Sequence, residues 1–172
     1  MKCFEKLVIN LIKPGLYPYL DPLQYSYRVG RGTDDALVSV THLVSKHLEN
    51  PQAYARILLA DFSSAFDTVS PYLLTQKLTN LEVNPWIVKW FLALLTDRSQ
   101  QVNVNGTLSE VKYVHTHICT GVPQGAVSSP FLFTLFTNEC RSRQPNNFII
   151  KFSDDTIILS LLVTAPLCIL MR

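Results

Sequence analysis

Phe148-Ile149-Ile150-Lys151-Phe152-Ser153-Asp154-Asp155-Thr156-Ile157-Ile158-Leu159-Ser160-Leu161-Leu162 is the stretch on which the fold turns. Two β-rich apolar runs flank the polar triplet Ser153-Asp154-Asp155, and this spacing predicts a hairpin with two carboxylates at its tip. A third run, Arg56-Ile57-Leu58-Leu59-Ala60, ends at Asp61 and reads as a buried strand. An ionised carboxylate at the end of a buried strand is costly unless a cation compensates it. Adjacent acids at a hairpin tip also repel each other. A divalent cation answers both needs, and hard oxygen ligands suit magnesium. Asp is equally a common turn former, and taken singly each of these acids could be a turn or strand-end residue.

Working outward, Phe4–Ile12 reads as a short helix, and residues 13–23, with three prolines, as loop. Residues 25–32 are basic and aromatic. Thr33 reads as an N-cap with Asp34 and Asp35 in the first turn, where negative charge favours the helix dipole. Leu37, Val40, Val44 and Leu48 follow at helical spacing, and Asn50-Pro51 stops the helix. Ser70-Pro71 and Asn84-Pro85 each pair a cap with proline at the first helical position, starting helices over about 71–80 and 85–96. Trp86 and Trp90 read as packing residues of the second. Residues 100–104 and 111–117 flank the hairpin turn Asn105-Gly106. The loop from Thr120 to Gln124 leads into a helix over about 128–141. Helices and strands do not alternate regularly, so the class is α+β.

Composition narrows the function little. The chain has 172 residues, 48% hydrophobic and 16% charged, which is enough apolar material for a packed core and excludes a disordered chain. A net charge of +2 does not mark a nucleic-acid binder, although residues 1–33 carry five Lys/Arg against two acids. Four cysteines without C-x-x-C spacing read as reduced, intracellular thiols. The first fifteen residues do not read as a signal peptide. The apolar end falls short of the roughly 20 residues of a membrane helix, so no membrane partner is expected. His42 and His47 read as surface residues of the long helix. His115 and His117 would share one side of a strand, with no third zinc ligand evident.

The order of three motifs is more specific than any one of them. Asp61-Phe62-Ser63-Ser64-Ala65-Phe66, Thr120-Gly121-Val122-Pro123-Gln124-Gly125 with Ser129-Pro130, and Phe152-Ser153-Asp154-Asp155 resemble the central motifs of reverse transcriptases. Residues 24–36, from Gln24 to Ala36, resemble the fingers motif of the same enzymes. The detail is similar to non-LTR retrotransposons of the LINE or jockey kind, over roughly Leu20 to Leu162. Ser153 stands where the family usually has Ala, and Ala126 and Ser128 where it usually has Cys and Leu.

The resemblance implies a polymerase palm, a ferredoxin-like antiparallel sheet with helices on one face, plus partial fingers. Residues 20–53 would be partial fingers, 54–162 palm with interspersed fingers elements, and 163–172 a divergent tail, with the thumb missing. Asp61 and Asp154, with the Phe62 carbonyl, would bind two Mg2+ ions, and Asp155 would support them. One ion would activate a primer 3′-hydroxyl and the other stabilise the triphosphate and leaving pyrophosphate. Phe66 would exclude a ribose 2′-hydroxyl, Gln124 would touch the incoming nucleotide, and Gly125 would let backbone approach it. Arg28 and Arg31 would meet phosphates. The implied partners are an RNA template, a DNA primer and deoxynucleoside triphosphates, in the nucleus. A non-catalytic remnant or domesticated binding module is the alternative.

Overall fold

The computed structural model describes residues 2–114 and 121–164. In chain order it contains α1 (Lys2–Leu16), a 3-10 turn (Tyr17–Tyr19), α2 (Thr33–Leu48), β1 (Ala53–Asp61), α3 (Pro71–Asn80) and α4 (Pro85–Leu95). Then come β2 (Arg98–Gln100), β3 (Asn103–Val104), β4 (Thr107–Leu108), β5 (Lys112–Val114), α5 (Ser129–Phe136), β6 (Asn147–Phe152) and β7 (Asp155–Val163). Helices mix with antiparallel sheets, as the α+β reading expects. The chain divides into two compact units, one of residues 2–20, 63–114 and 121–138, the other of residues 21–62 and 139–164.

The second unit is built on a three-stranded antiparallel sheet in the order β1-β7-β6. Strands β6 and β7 are joined by the two-residue turn Ser153-Asp154, with Phe152 opposite Asp155. Of the two turn residues only Ser153 has positive φ, 58°. That is the pattern of a type II′ hairpin, whose twist matches the flanking strands. Helix α2 packs on one face through Ala36, Val40, Leu43 and Val44 against Phe148, Ile150, Phe152 and Ile157. Leu37 and Leu48, expected in this stripe, are exposed. The N-cap is Gly32, one residue earlier than expected, and its N–H donates to the Asp35 carboxylate at 2.7 Å.

The outer edge of β6 is covered by residues 23–25. Tyr25 N–H donates to Lys151 O, and Lys151 N–H donates to Leu23 O, both at 2.9 Å. At the other end of the sheet β1 pairs only with β7 among the described residues, and the expected burial of residues 56–60 fails there. Ile57, Leu58 and Leu59 are 52%, 60% and 73% exposed. An apolar run cannot tell a central strand from an edge strand, because both satisfy the same local pattern. Helices α3, α4 and α5 belong to the other unit. Beneath the sheet, the fully buried Lys151 ammonium pairs with Asp21 at 2.7 Å and donates to Cys140 O at 2.9 Å.

In the first unit, α1 runs further than the prolines suggested. Pro14 lies inside it, two residues from its end, and the chain then tightens into the 3-10 turn. So late in a helix, the missing N–H disturbs little beyond the final turn. The α1 face that turns inward is Glu5, Val8, Ile9, Ile12 and Leu16. The caps behave as read: Ser70 Oγ accepts from Leu73 N–H and Asn84 Oδ1 from Trp86 N–H. Trp90 stacks edge-on with Phe4 at 5.2 Å. Trp86, expected to pack, is exposed, with the Lys89 ammonium over its ring. Around Asn105-Gly106, β3 pairs with β4, and further out β2 pairs with β5. His115 and His117 lie outside the described residues.

Helix α5 ends at Phe136, short of the expected 141. Residues 138–144 offer no apolar face to bury, and the Asn138 amide instead donates to Tyr19 O at 3.0 Å. Among the described residues no helix is long and apolar enough to cross a membrane. Cys3 and Cys140 are free and exposed; Cys119 and Cys168 lie outside the described residues.

Candidate active site

Strand pairing brings four of the expected residues together in the second unit. Asp61 is the cross-strand partner of Asp155, and Phe62 N–H donates to Asp154 O at 3.3 Å. That bond makes 62 and 154 the hydrogen-bonded pair. Asp61 and Asp155 therefore face each other at a non-hydrogen-bonded position, where Cα atoms come within about 4.5 Å and side chains lie closest. Phe152 completes the row on the other side of Asp155. The ladder thus pairs Asp61 with Asp155, while Asp154 occupies the turn.

Asp61 and Asp155 are exposed and Asp154 is half-buried. Among the described residues none of the three has an ion-pair partner. No group of three or more His, Cys, Asp or Glu converges as a ready-made metal cluster among those residues. The arrangement is a pair of like charges held side by side plus a third at the adjacent turn. Such a row repels itself and offers hard oxygen donors to a divalent cation. Magnesium in particular is usually held by one or two carboxylates together with substrate phosphates, without an all-protein cage. The donor set therefore fits that ion.

The residues expected to meet a nucleotide lie in the first unit. Phe66, Gln124, Gly125, Ala126, Ser129 and Pro130 line a cavity of ≈ 360 Å³. Phe66 is half-buried against Phe133, ring centroids 5.1 Å apart. Gln124 and Gly125 are exposed. Gly125 has φ +80, with open space where a Cβ would stand. The loop is fixed from beneath. Val122 N–H donates to Phe66 O at 2.8 Å, and Ser129 Oγ donates to Pro123 O at 2.6 Å. Arg98 donates to Gly121 O at 3.4 Å; burial pushes its guanidinium down, and the charge of Asp67 opposes that shift.

Two residues of this cavity's frame were not legible in the motifs. Gly121, at φ +62, packs so closely that a Cβ would stand 2.5 Å from Asp67 Cα and 2.6 Å from Phe66 O. Glu5 of α1 is buried and accepts from Ser128 N–H at 3.1 Å and Ser128 Oγ at 2.9 Å, at the start of α5. A carboxylate there meets the unpaired N–H groups and positive end of the helix. The hydroxyl of Ser128, one of the departures noted above, was the available signal.

The expected phosphate contacts lie in the second unit. Arg28 is half-buried. Arg31 stacks over the Tyr25 ring, 5.1 Å from its centroid, and donates to the Pro22 carbonyl.

A family model described as reverse transcriptase (RNA-dependent DNA polymerase) matches residues 1–162, so the matched segment includes α1 as well as the span from Leu20. The RNA-directed DNA polymerase from the mobile element jockey of Drosophila melanogaster is 28% identical over 168 residues, covering 92% of this chain and 18% of that protein. A probable RNA-directed DNA polymerase from transposon BS of the same organism is 28% identical over 143 residues, covering 79% of this chain and 15% of that protein. A solved structure of telomerase from Candida albicans, in complex with the TWJ fragment of telomeric RNA, has a TM-score of 0.49 at 14% identity. It covers 92% of this chain and 29% of that one. The chain spans less than a fifth of the length of the curated relatives it matches.

Proposed function

The chain belongs to the reverse transcriptase (RNA-dependent DNA polymerase) family, and on that premise we propose that it forms part of the RNA-directed DNA polymerase of a non-LTR retrotransposon. Its substrates are an RNA template, a DNA primer and deoxynucleoside triphosphates, and it works in the nucleus. The sheet β1-β7-β6 is the core of a palm, and residues 24–36 belong to the fingers. The observation that carries this reading is the uncompensated row of Asp61, Asp155 and the neighbouring Asp154 at one end of that sheet.

Asp61 and Asp154, with the Phe62 carbonyl, are assigned to hold divalent cations, and Asp155 supports them. Magnesium bound there supplies activation of a primer 3′-hydroxyl and stabilisation of a triphosphate and its leaving group. The remaining work belongs to the chain's own groups. Phe66 stands at the wall of the 360 Å³ cavity, where its ring excludes a 2′-hydroxyl by clash. Gln124 presents an amide donor and acceptor at the rim, and Gly125 leaves backbone bare for close approach. Arg28 and Arg31 supply positive charge for phosphates, Arg31 with the guanidinium N–H groups that remain beyond its bond to Pro22.

The test is primer extension on an RNA template with deoxynucleotides and Mg2+. It is run on this chain and on a chimera in which residues 1–162 replace the matching segment of the jockey polymerase. Extension by the chimera that Asp61→Asn or Asp154→Asn reduces by at least a hundredfold supports the reading. Extension unaffected by both substitutions refutes the metal assignment. A folded chimera with no extension at all favours a non-catalytic binding module.

A further inference from the structure

The turn carrying Asp154 is held by hydrogen bonds from a segment more than 120 residues away in sequence. Ser153 N–H donates to Ser26 Oγ at 2.7 Å, and the Ser153 and Tyr27 hydroxyls share a hydrogen bond of 2.7 Å. Ser26 is itself fixed, since its N–H and its hydroxyl both donate to the buried Gln24 Oε1 at 3.2 Å. Residues 23–25 are laced along β6 through Lys151. The clamp therefore has a rigid base, and its two tips close on one residue of a two-residue turn.

Ser153 needs such holding. At φ 58 it sits in the left-handed region, which glycine enters freely and serine does not. A type II′ turn prefers glycine at this first central position. Without the clamp, the turn can relax toward other conformations, and the carboxylate on the very next residue would move with it. An Ala at position 153 could keep the bond to Ser26 but could make none to Tyr27.

We propose that Tyr27 is a positioning residue: through its hydroxyl bond to Ser153 it fixes the turn that carries Asp154 and so sets the divalent-cation affinity of the Asp61–Asp154–Asp155 end of the sheet. This rests on the metal reading given above. Tyr27 touches neither the cation nor the substrate in this role. Its position in the basic segment that leads into α2 links that segment's docking to the competence of the carboxylates.

The test uses the full chain and Mn2+ alone as probe, titrated by the electron paramagnetic resonance signal of the free ion. Hydrogen exchange of the Ser153–Asp155 amides is followed in parallel without metal. Tyr27→Phe removes only a partly exposed hydroxyl, so the fold is kept. We expect Tyr27→Phe and Ser153→Ala each to weaken Mn2+ binding about three- to tenfold, the worth of one hydrogen bond, and to speed amide exchange at the turn. The double variant should be no weaker than the worse single one, because both remove the same bond. Full Mn2+ affinity in Tyr27→Phe, beside a loss in Asp61→Asn, overturns the positioning role and leaves the metal site standing. Absence of binding in the unaltered chain, or binding that Asp61→Asn and Asp154→Asn leave unchanged, overturns the metal reading and the inference with it.

Discussion

Asp61 stands directly across the β-ladder from Asp155, ninety-four residues later, with the Phe62–Asp154 hydrogen bond one step beyond them. Two negative side chains are thereby set side by side at a position where cross-strand neighbours lie closest. Without a cation this pairing costs stability, and the first prediction follows from it. In metal-free solution Asp155→Asn should raise unfolding stability by about 0.2–1 kcal/mol, the usual worth of a cross-strand charge pair. Mg2+ should raise the melting midpoint of the unaltered chain, since a ligand that binds only the folded state stabilises it by mass action. That upward shift should shrink in Asp61→Asn. Calorimetry with and without Mg2+ checks both; equal shifts in the two proteins would remove the cation from this end of the sheet.

The glycines flanking Val122-Pro123-Gln124 should respond unequally to a methyl group. Gly121→Ala combines a left-handed φ with a Cβ placed 2.5 Å from the Asp67 backbone, so its loop and the 66–67 turn must part. Strain of about 1–2 kcal/mol and overpacking of about 1–3 kcal/mol should add. Gly125→Ala carries the strain alone, because its Cβ meets open space. Urea unfolding of the two variants should show Gly121→Ala as clearly the less stable. The reverse order would mean that the loop is not seated on Phe66 and Asp67 as described.

Much of the candidate site's pattern was readable because it is local. The hairpin of Asp154 and Asp155 is marked by apolar runs on both sides, and α3 and α4 by their Ser-Pro and Asn-Pro starts. What escaped has long-range causes. The exposure of Leu58 and Leu59 goes with the place of β1 at the end of the order β1-β7-β6, which the run itself does not encode. Lys151 reads as a polar interruption in an apolar strand until Asp21, 130 residues earlier, arrives beneath it. Glu5 looks like an ordinary surface acid until α1 delivers it to the first turn of α5. Gly121 was one glycine of a Gly/Pro-rich loop, and only the packing of Asp67 beneath it separates its role from that of Gly125.

The Lys151–Asp21 pair yields a sharper prediction about stability. Lys151 is fully buried and Asp21 nearly so, while Arg141 stands farther off, 3.9 Å from the same carboxylate oxygen. Lys151→Met should cost about 3–5 kcal/mol, because it leaves a buried charge without its close partner. Adding Asp21→Leu to that variant should recover part of the loss, since no buried charge then remains, while Leu23 N–H loses its acceptor on Asp21. Denaturant unfolding of the two single variants and the double completes the cycle. An additive result would show that the two groups act independently.

Glu5 should behave as an acceptor for the start of α5. Glu5→Ala strands the buried Ser128 N–H and should cost about 1–3 kcal/mol. Glu5→Gln keeps a carbonyl oxygen in place and should cost less than Glu5→Ala. The same order should appear in amide exchange at Ser128. Equal losses from both variants would assign the effect to packing of the side chain instead of its hydrogen bonds.

In the jockey chimera, Phe66 is the residue whose substitution should change which nucleotides are accepted while extension is kept. Its ring lines the cavity of Gln124 and Gly125 and packs at a tilt of 34° against Phe133. A rigid ring discriminates by clash, which a flexible side chain in its place could not do as sharply. In the jockey chimera, Phe66→Ala should lower the preference for deoxynucleotides over ribonucleotides by at least tenfold, about 1.4 kcal/mol of lost discrimination. The gain should come from faster ribonucleotide insertion, with deoxynucleotide insertion weakened by a smaller factor. Because the ring also packs on Phe133, truncation could loosen the loop and slow both substrates together. Phe66→Val, which keeps part of that packing, separates the two effects. If sugar selectivity falls in both variants while Asp61→Asn abolishes all insertion, exclusion belongs to the ring. If selectivity stays unchanged in both, the 2′-hydroxyl is sensed elsewhere and Phe66 serves only to seat the loop.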